Sequence, residues 1–190
     1  ACHFCIYWKI FDIIMIQGDN IRLRALEMED ADWIFHFEND PSLWRVTQTV
    51  TPYSRYAIEQ YVLNASIQDI YGSRELRLVI ETLRDKRPVG LIDLFEFDPL
   101  NRRAGVGVAI EQKERRQGFA SEALQLLIQH CFRVLALHQL YCNILVSNEA
   151  SIQLFEKFGF EVTGRKKEWI IKHNQWEDEL FLQLFNPQTI

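Results

Sequence analysis

The sequence predicts an α+β (mixed α/β) fold in which helices flank a central, largely antiparallel sheet. Three alternating segments, 74–83, 88–97 and 103–110, follow one another with only the turns RDKR and DPLN between them, which is typical of neighbouring antiparallel strands. Residues 117–137 instead carry apolar side chains three or four positions apart, which predicts a long helix with one buried stripe. These two periodicities place one sheet and one long helix in the middle of the chain.

The N-terminal part of this domain is predicted to contribute one strand and two helices. The segment 21–26, IRLRAL, alternates as a strand does, and residues 27–40 have the spacing of a helix lying on a sheet. Pro41 and Pro52 punctuate a predicted loop. A second helix is expected over 56–70.

The C-terminal part is predicted to contain three strands and a short helix. Residues 138–146 form an apolar strand, and Asn148 then opens a helix that Gly159 ends with a left-handed stop. Two strands, 160–171 and 176–185, follow around the turn KHNQ. The complete predicted order is β-α-α-β-β-β-α-β-α-β-β.

Length and composition predict a single domain over 15–190. The chain has 190 residues, of which 48% are hydrophobic and 25% charged, and this suits one globular core. Residues 1–14, ACHFCIYWKIFDII, form an atypical apolar N-terminal extension. Two interpretations stay open: the extension lies upstream of the original initiation site, or it adds an element that covers a sheet edge or a partner.

Charge and cysteine content exclude several classes of protein. A net charge of −5 offers no basic footprint for nucleic acid. The extension is too short and too interrupted by charges for a transmembrane helix, so no membrane partner is expected. Cys2 and Cys5 form half of a metal site without a second Cys/His pair, so no metal is expected. Cys131 and Cys142 lie in apolar runs, which favours reduced, buried thiols and a cytoplasmic location.

The stretch ERRQGFASEAL at 114–124 predicts a binding site for an anion. The first N–H groups of a helix lack intrahelical partners and its N-terminus is partly positive, so a phosphate docks there readily. Arg115 and Arg116 add positive charge, and Gly118 lets a ligand approach closely. The preceding strand is light, with Gly105 and Gly107, so a long ligand with a diphosphate and an amide-bearing arm could lie along its backbone. The alternative is an ordinary solvated basic cap.

A second motif, NEASIQLFEKFGF at 148–160, follows the next strand. Together with Arg115-x-x-Gly118-x-Ala120, it resembles the acetyl-CoA-binding core of the GNAT superfamily of N-acetyltransferases. IRLRALEMEDAD, NRRAGVGVAI and HNQWEDELFLQLF extend the resemblance to the subgroup of ribosomal-protein N-terminal and spermidine N-acetyltransferases. The resemblance covers nearly all of the chain from Met15 to Asn186. It implies the GNAT fold, with a twisted sheet whose middle strands splay apart.

The resemblance implies acetyl-CoA as co-substrate and an amine as acceptor. The backbone amides of Val108, Ala109 and Ile110 would pair with the pantetheine arm. Asn148 would contact the cofactor near its pantetheine portion, although it is equally a good N-cap with Ser151 at the third helical position. The diphosphate would be held by the backbone N–H groups of Arg115, Arg116, Gln117, Gly118, Phe119, Ala120 and Ser121.

Two positions depart from the pattern of the superfamily. Many relatives have tyrosine, the usual acid for the departing thiolate, where this chain has Phe155, and often glutamate where it has Gly105. Phe155 is still expected beside the cofactor's sulfur. The candidate catalytic residues are therefore Glu96, Asp93, Glu111 and Tyr141, with Cys142 as a further proton donor. Strand alternation predicts that Asp93 and Glu96 point to opposite faces, so that at most one faces a given site.

The acceptor is expected to be a primary amine, on a peptide N-terminus or on a small molecule. Residues 41–58 contain no acid, whereas a polyamine needs several carboxylates, and Trp44, Tyr53 and Tyr56 suggest a flatter acceptor. Three alternatives stay open: a silent acyl-CoA-binding domain, a structural module, and a spermidine acetyltransferase. A homodimer also stays open.

Overall fold

The computed structural model describes residues 16–47, 49–172 and 174–187. The strands of this part are β1 (Ile16–Gln17), β2 (Ile21–Arg24), β3 (Leu76–Thr82), β4 (Pro88–Asp98), β5 (Arg103–Ile110), β6 (Gln139–Leu145), β7 (Glu161–Lys172) and β8 (Gln175–Phe185). They form one sheet in the order β1-β2-β3-β4-β5-β6-β8-β7. The pair β5–β6 is parallel and the other neighbouring pairs are antiparallel. The predicted α+β class is confirmed.

Helices cover both faces of this sheet. They are α1 (Ala31–Glu38), α2 (Pro41–Thr47), α3 (Arg55–Ile67), α4 (Ile70–Ser73), α5 (Phe119–Arg133) and α6 (Glu149–Lys157). One core joins β-strand side chains to α5 and α6, and a second joins Val79 and Leu91 of the opposite face to α1, α2 and α3. The predicted stripe of α5 is confirmed, because Ala123, Leu124 and Leu127 are fully or almost fully buried.

The main difference from the predicted elements lies at Pro41. We expected a loop there, but α2 occupies Pro41–Thr47. Proline is well tolerated in the first turn of a helix, where its missing N–H group would have no partner. Asp40 precedes it, and its carboxylate accepts a hydrogen bond of 2.8 Å from the N–H group of Ser42. The proline thus begins a helix, rather than breaking one.

The strands β5 and β6 separate along their length. They are paired only from Arg103 to Gly105, opposite Gln139 to Tyr141. Beyond Gly105, β5 keeps its pairing with β4 as far as Ile110 and has no strand on its other side among the described residues. The predicted splay of the middle strands is therefore present. The extension 1–14, with Cys2 and Cys5, lies outside the described residues.

Candidate active site

A groove of about 510 Å³ runs from the open edge of β5 to the N-terminus of α5. Eleven of the thirteen residues predicted to hold the cofactor line it, and Leu43, Glu114, Ala150 and Leu154 complete its wall. The two exceptions are Gln117 and Phe155. The eleven are Val108, Ala109, Ile110, Arg115, Arg116, Gly118, Phe119, Ala120, Ser121, Asn148 and Ser151.

The turn before α5 has two residues in the left-handed region. Arg116 has φ +65° and Gly118, the N-cap of α5, has φ +86°. A Cβ atom built on Gly118 would meet no protein atom within 4 Å, so this position opens onto the groove. Glycine here serves both the backbone conformation and the access to the N–H groups of the helix.

Buried Glu114 links this turn to Arg87, the residue that precedes β4. Its Oε1 accepts a hydrogen bond of 2.5 Å from Arg87, and its Oε2 accepts one of 3.2 Å from Gln117. The Nε atom of Arg115 donates to the carbonyl oxygen of Ile110 at 3.2 Å. The side chain of Gln117 therefore faces Glu114 rather than the groove, and it helps to hold the turn in place.

The far side of the groove is the N-terminus of α6. The Oδ1 atom of Asn148 accepts a hydrogen bond of 3.3 Å from the N–H group of Ser151, which is the predicted N-cap arrangement. Both residues also line the groove. Opposite them, the hydroxyl of Ser121 on α5 accepts a hydrogen bond of 3.1 Å from Lys157 on α6. The two helix N-termini thus border one opening.

A smaller cavity of about 90 Å³ lies between β5 and β6, where the strands splay. Phe155 lines it and is 3% exposed, with its ring 4.9 Å from that of Phe160. Val108, Asn148 and Ser151 line both this cavity and the groove, so the two spaces adjoin. The lining includes Asn143 and Glu179, which we did not predict.

Two of the predicted catalytic carboxylates are engaged elsewhere. Asp93 accepts two hydrogen bonds from Arg77, of 2.8 and 2.9 Å. Glu111 accepts a hydrogen bond of 2.7 Å from Trp33 on α1. Lys113 lies 2.9 Å from its other oxygen as an ion-pair contact, although no hydrogen bond reaches that buried atom. The structure brings neither carboxylate into the cavity between β5 and β6.

Glu96 and Tyr141 come together in another groove, of about 530 Å³. The hydroxyl of Tyr141 donates a hydrogen bond to Glu96. Burial, and then the hydrogen bond and charge of Glu96, raise the pKa of Tyr141, so its phenol stays protonated at neutral pH. Asn143 lines both this groove and the small cavity.

The expectation that Asp93 and Glu96 face opposite sides of the sheet is wrong. The pairing of β4 with β5 shifts between Phe95 and Asp98, and Glu96 has φ +50°. This bulge breaks the alternation. Glu96 consequently reaches Tyr141 on the face of the sheet that also carries Asp93. The Tyr141 ring packs edge-on against Phe95 on that face.

Phe95 also explains the glycine at position 105. Gly105 is paired with Phe95 across β4 and β5, and a Cβ atom on it would collide with the Phe95 ring. An aromatic ring therefore fills the space that a side chain at position 105 would need.

The two cysteines of the described part are free and buried. Cys142 lines the small cavity, and burial raises the pKa of its thiol to about 12. Such a thiol holds its proton too tightly to act as an efficient acid near neutral pH. In the part of the chain that the structure describes, no group of three or more His, Cys, Asp or Glu could hold a metal ion. No helix of this part has both the length and the apolar character needed to cross a membrane.

The residues missed by sequence reasoning form a polar cluster beside the cavity. Lys166 of β7 donates hydrogen bonds of 2.8 Å to Asn143 of β6 and 2.8 Å to Glu179 of β8. Glu179 belongs to the acidic run at 177–179, and strand alternation alone offered a weak signal that it shares a face with Phe181. Its position beside β6 depends on the pairing of Glu179 with Leu145, which is a long-range contact.

Comparison with known proteins identifies the family. The model of the acetyltransferase (GNAT) domain matches residues 20–161. The spermidine N(1)-acetyltransferase of Escherichia coli (strain K12) is 28% identical over 181 residues, covering 93% of this chain and 91% of that protein. A Bacillus subtilis (strain 168) protein named only provisionally as a ribosomal N-acetyltransferase is 25% identical over 186 residues, covering 90% and 94%.

Solved structures agree with this assignment. The spermidine N-acetyltransferase of Vibrio cholerae in complex with CoA and spermine has a TM-score of 0.78 and is 25% identical, covering 87% of this chain and 95% of that one. An acetyltransferase of the same family from Bacillus anthracis has a TM-score of 0.75 at 19% identity, and so shows the shared fold. The family match spans well over half of the chain. The chain therefore belongs to the GNAT family and is an N-acetyltransferase that uses acetyl-CoA as its acetyl donor.

Proposed function

We propose that this protein transfers the acetyl group of acetyl-CoA to a primary amine that carries a single positive charge, either a peptide N-terminus or a small molecule. The observation that carries the proposal is the joined pair of spaces: a groove with a cationic turn and a free strand edge, and a cavity between β5 and β6. An elongated acyl donor would extend from the first into the second.

The residues of the groove suit such a donor. The N–H groups at the start of α5 and the positive charges of Arg115 and Arg116 would hold the diphosphate. The edge of β5 from Val108 to Ile110, which has no neighbouring strand among the described residues, would hydrogen-bond the pantetheine arm. Acetyl-CoA supplies an activated thioester, and the protein aligns the amine with it, an effect that can be worth ~7–11 kcal/mol in such reactions.

The acceptor side favours a single charge. Residues 41–58 contain no acid, and of the flanking carboxylates Glu38, Asp40 and Glu59 the first two are already engaged. Glu38 pairs with Arg77 at 2.7 Å, and Asp40 caps the start of α2. Tyr53 and Tyr56 are exposed at this end of the molecule and offer apolar contact area. A polyamine would have to leave water without enough carboxylates to offset its charges.

Spermidine acetylation is the second candidate, because relatives at 28% identity are named spermidine N(1)-acetyltransferases. Steady-state kinetics with acetyl-CoA separate the two. We expect kcat/KM for at least one monoamine or peptide to exceed that for spermidine. A spermidine kcat/KM above that of every monoamine and peptide tested would overturn the single-charge proposal. If the protein binds CoA but acetylates none of the amines tested, the result would instead support a silent acyl-CoA-binding domain.

A cytoplasmic location belongs to the same proposal, since the free, buried Cys131 and Cys142 suit a reducing compartment.

A further inference from the structure

The cavity between β5 and β6 contains one ionisable carboxyl group that none of the roles above uses. Its lining is apolar or neutral apart from Glu179 and the Cys142 thiol. Glu179 is only 4% exposed. A carboxylate removed from water in this way requires a partner of opposite charge or several hydrogen bonds.

The partner of Glu179 is an ammonium group that reaches it from the neighbouring groove. Lys166 lines the groove that contains Glu96 and Tyr141, and its Nζ atom lies 2.8 Å from Oε2 of Glu179 and 2.8 Å from Oδ1 of Asn143. Asn143 borders both spaces. An ammonium group is thus already held where the groove of Glu96 and Tyr141 meets the cavity.

The surroundings leave Glu179 as the group suited to proton transfer in this cavity. From β7, Lys166 is the charged side chain that faces it. The cavity walls from β5 and α6 present Val106, Val108, Asn148, Ser151 and Phe155, none of which titrates near neutral pH. Asp93 and Glu111 point to other partners, as described above.

We propose that Glu179 is a catalytic residue that binds the ammonium group of the acceptor and takes its proton, and that Lys166 occupies this position until the acceptor arrives. This proposal rests on the proposed function, and it names the group that receives the amine.

The proton and bond changes balance. An ammonium carries three protons, and Glu179 takes one of them. The freed nitrogen lone pair forms the C–N bond to the acetyl carbon, and the C–S bond breaks with its electrons moving to sulfur. The nitrogen loses a second proton to solvent, and the proton on Glu179 passes to the sulfur. The products are the N-acetylated amine and the CoA thiol, with one proton released.

The same geometry gives a reason for a single-charge acceptor. One buried carboxylate and one amide oxygen match one ammonium group.

The decisive variant is Glu179→Gln, which keeps the shape and a hydrogen-bond acceptor but cannot take a proton. Asp178→Asn is its matched control. Asp178 is the preceding residue of β8, and its carboxylate accepts hydrogen bonds from Arg165 and from the backbone N–H group of Glu168 instead. Each protein is assayed with the amine that the wild type acetylates fastest. In Glu179→Gln we expect kcat/KM to fall about 100-fold or more.

Binding measurements provide a readout that does not depend on turnover. We expect calorimetry to give CoA affinities within about twofold of each other in wild type, Glu179→Gln and Asp178→Asn. The affinity of the CoA-loaded protein for the amine should fall about tenfold in Glu179→Gln only, which corresponds to ~1.4 kcal/mol.

Lys166→Met separates a catalytic role of Glu179 from a merely structural ion pair. If Lys166 competes with the acceptor, its removal lowers KM for the amine. Equal losses of activity and melting temperature in Lys166→Met and Glu179→Gln would overturn the proposal, as would kcat/KM within about threefold of wild type in Glu179→Gln. A preference for spermidine would contradict only the proposed acceptor class. The proposal for Glu179 would then be tested with spermidine as the acceptor.

Discussion

At the scale of single residues, Phe155 belongs both to the core and to the lining of the small cavity. It packs edge-on against Phe160 and also lines the cavity between β5 and β6. Its ring therefore belongs to the core and to the site at once. Having no hydroxyl, it can position a ligand but cannot donate a proton.

Phe155→Tyr tests this dual position. We expect CoA affinity similar to that of the wild type and a kcat that is preserved or raised, because the new hydroxyl would point toward the cavity where the sulfur is expected. Phe160→Tyr is the matched control, since Phe160 is equally buried but does not line the cavity. A buried hydroxyl without a partner there should lower the free energy of unfolding by ~1–3 kcal/mol. Loss of CoA binding in Phe155→Tyr would show that Phe155 is only a packing residue.

At the scale of elements, the turn from Glu114 to Gly118 lines the groove proposed for the diphosphate. Glu114 and Gln117 secure it from the sheet side, and the left-handed Gly118 starts α5. No side chain of the N-cap residue occupies the first N–H groups of the helix. Those groups are then available to an anion.

Gly118→Asn tests the diphosphate site, and Gly159→Asn is its control. Both glycines have φ +86°, and asparagine tolerates the left-handed region better than other residues with a side chain. Both variants should lose similar stability, but only Gly118→Asn places a side chain in the groove. We expect calorimetry to show CoA affinity lowered about tenfold or more, ~1.4 kcal/mol, in Gly118→Asn and unchanged in Gly159→Asn. Equal affinities would mean that the diphosphate lies elsewhere.

At the scale of the whole molecule, two buried or half-buried carboxylates, Glu122 and Asp30, form hydrogen bonds with residues of the N-terminal strand region. Burial opposes the ionisation of Glu122 on α5, but hydrogen bonds from Asn20 and Ile21 outweigh it and hold the pKa of Glu122 below its usual value. Burial likewise opposes the charge of Asp30, and Arg24 still holds its pKa below the ordinary value. Both groups bind the proton less well in the folded state than in the unfolded one.

The sign of the resulting pH dependence follows by linkage. A depressed folded pKa contributes stability that is present above the unfolded pKa of ~4 and is lost as pH falls through the folded pKa. We expect the urea midpoint to fall steeply between pH 5 and about pH 3 in the wild type. Glu122→Gln should be less stable at pH 7 and show a shallower decline. An identical pH slope in the two proteins would contradict the role assigned to Glu122.

Periodicity predicted most of the fold, and the resemblance to the GNAT superfamily predicted most of the groove. Eleven of the residues that the resemblance implied line one groove, because they belong to short contiguous stretches of backbone whose geometry is local. The other strand and helix segments were likewise predictable from spacing, apart from the ends of elements, the short strand β1, the short helix α4 and the helix that begins at Pro41.

The acid–base side of the site depended on the tertiary structure. A bulge in β4 turned Glu96 toward Tyr141, Arg77 engaged Asp93, and the pairing of β8 with β6 carried Glu179 to the cavity. None of these is encoded by nearby residues, since a carboxylate's role depends on which charges and hydrogen-bond donors meet it from other strands. The sequence therefore predicted the residues of the groove proposed for the acetyl donor, and long-range strand register decided which carboxylate lines the adjoining cavity.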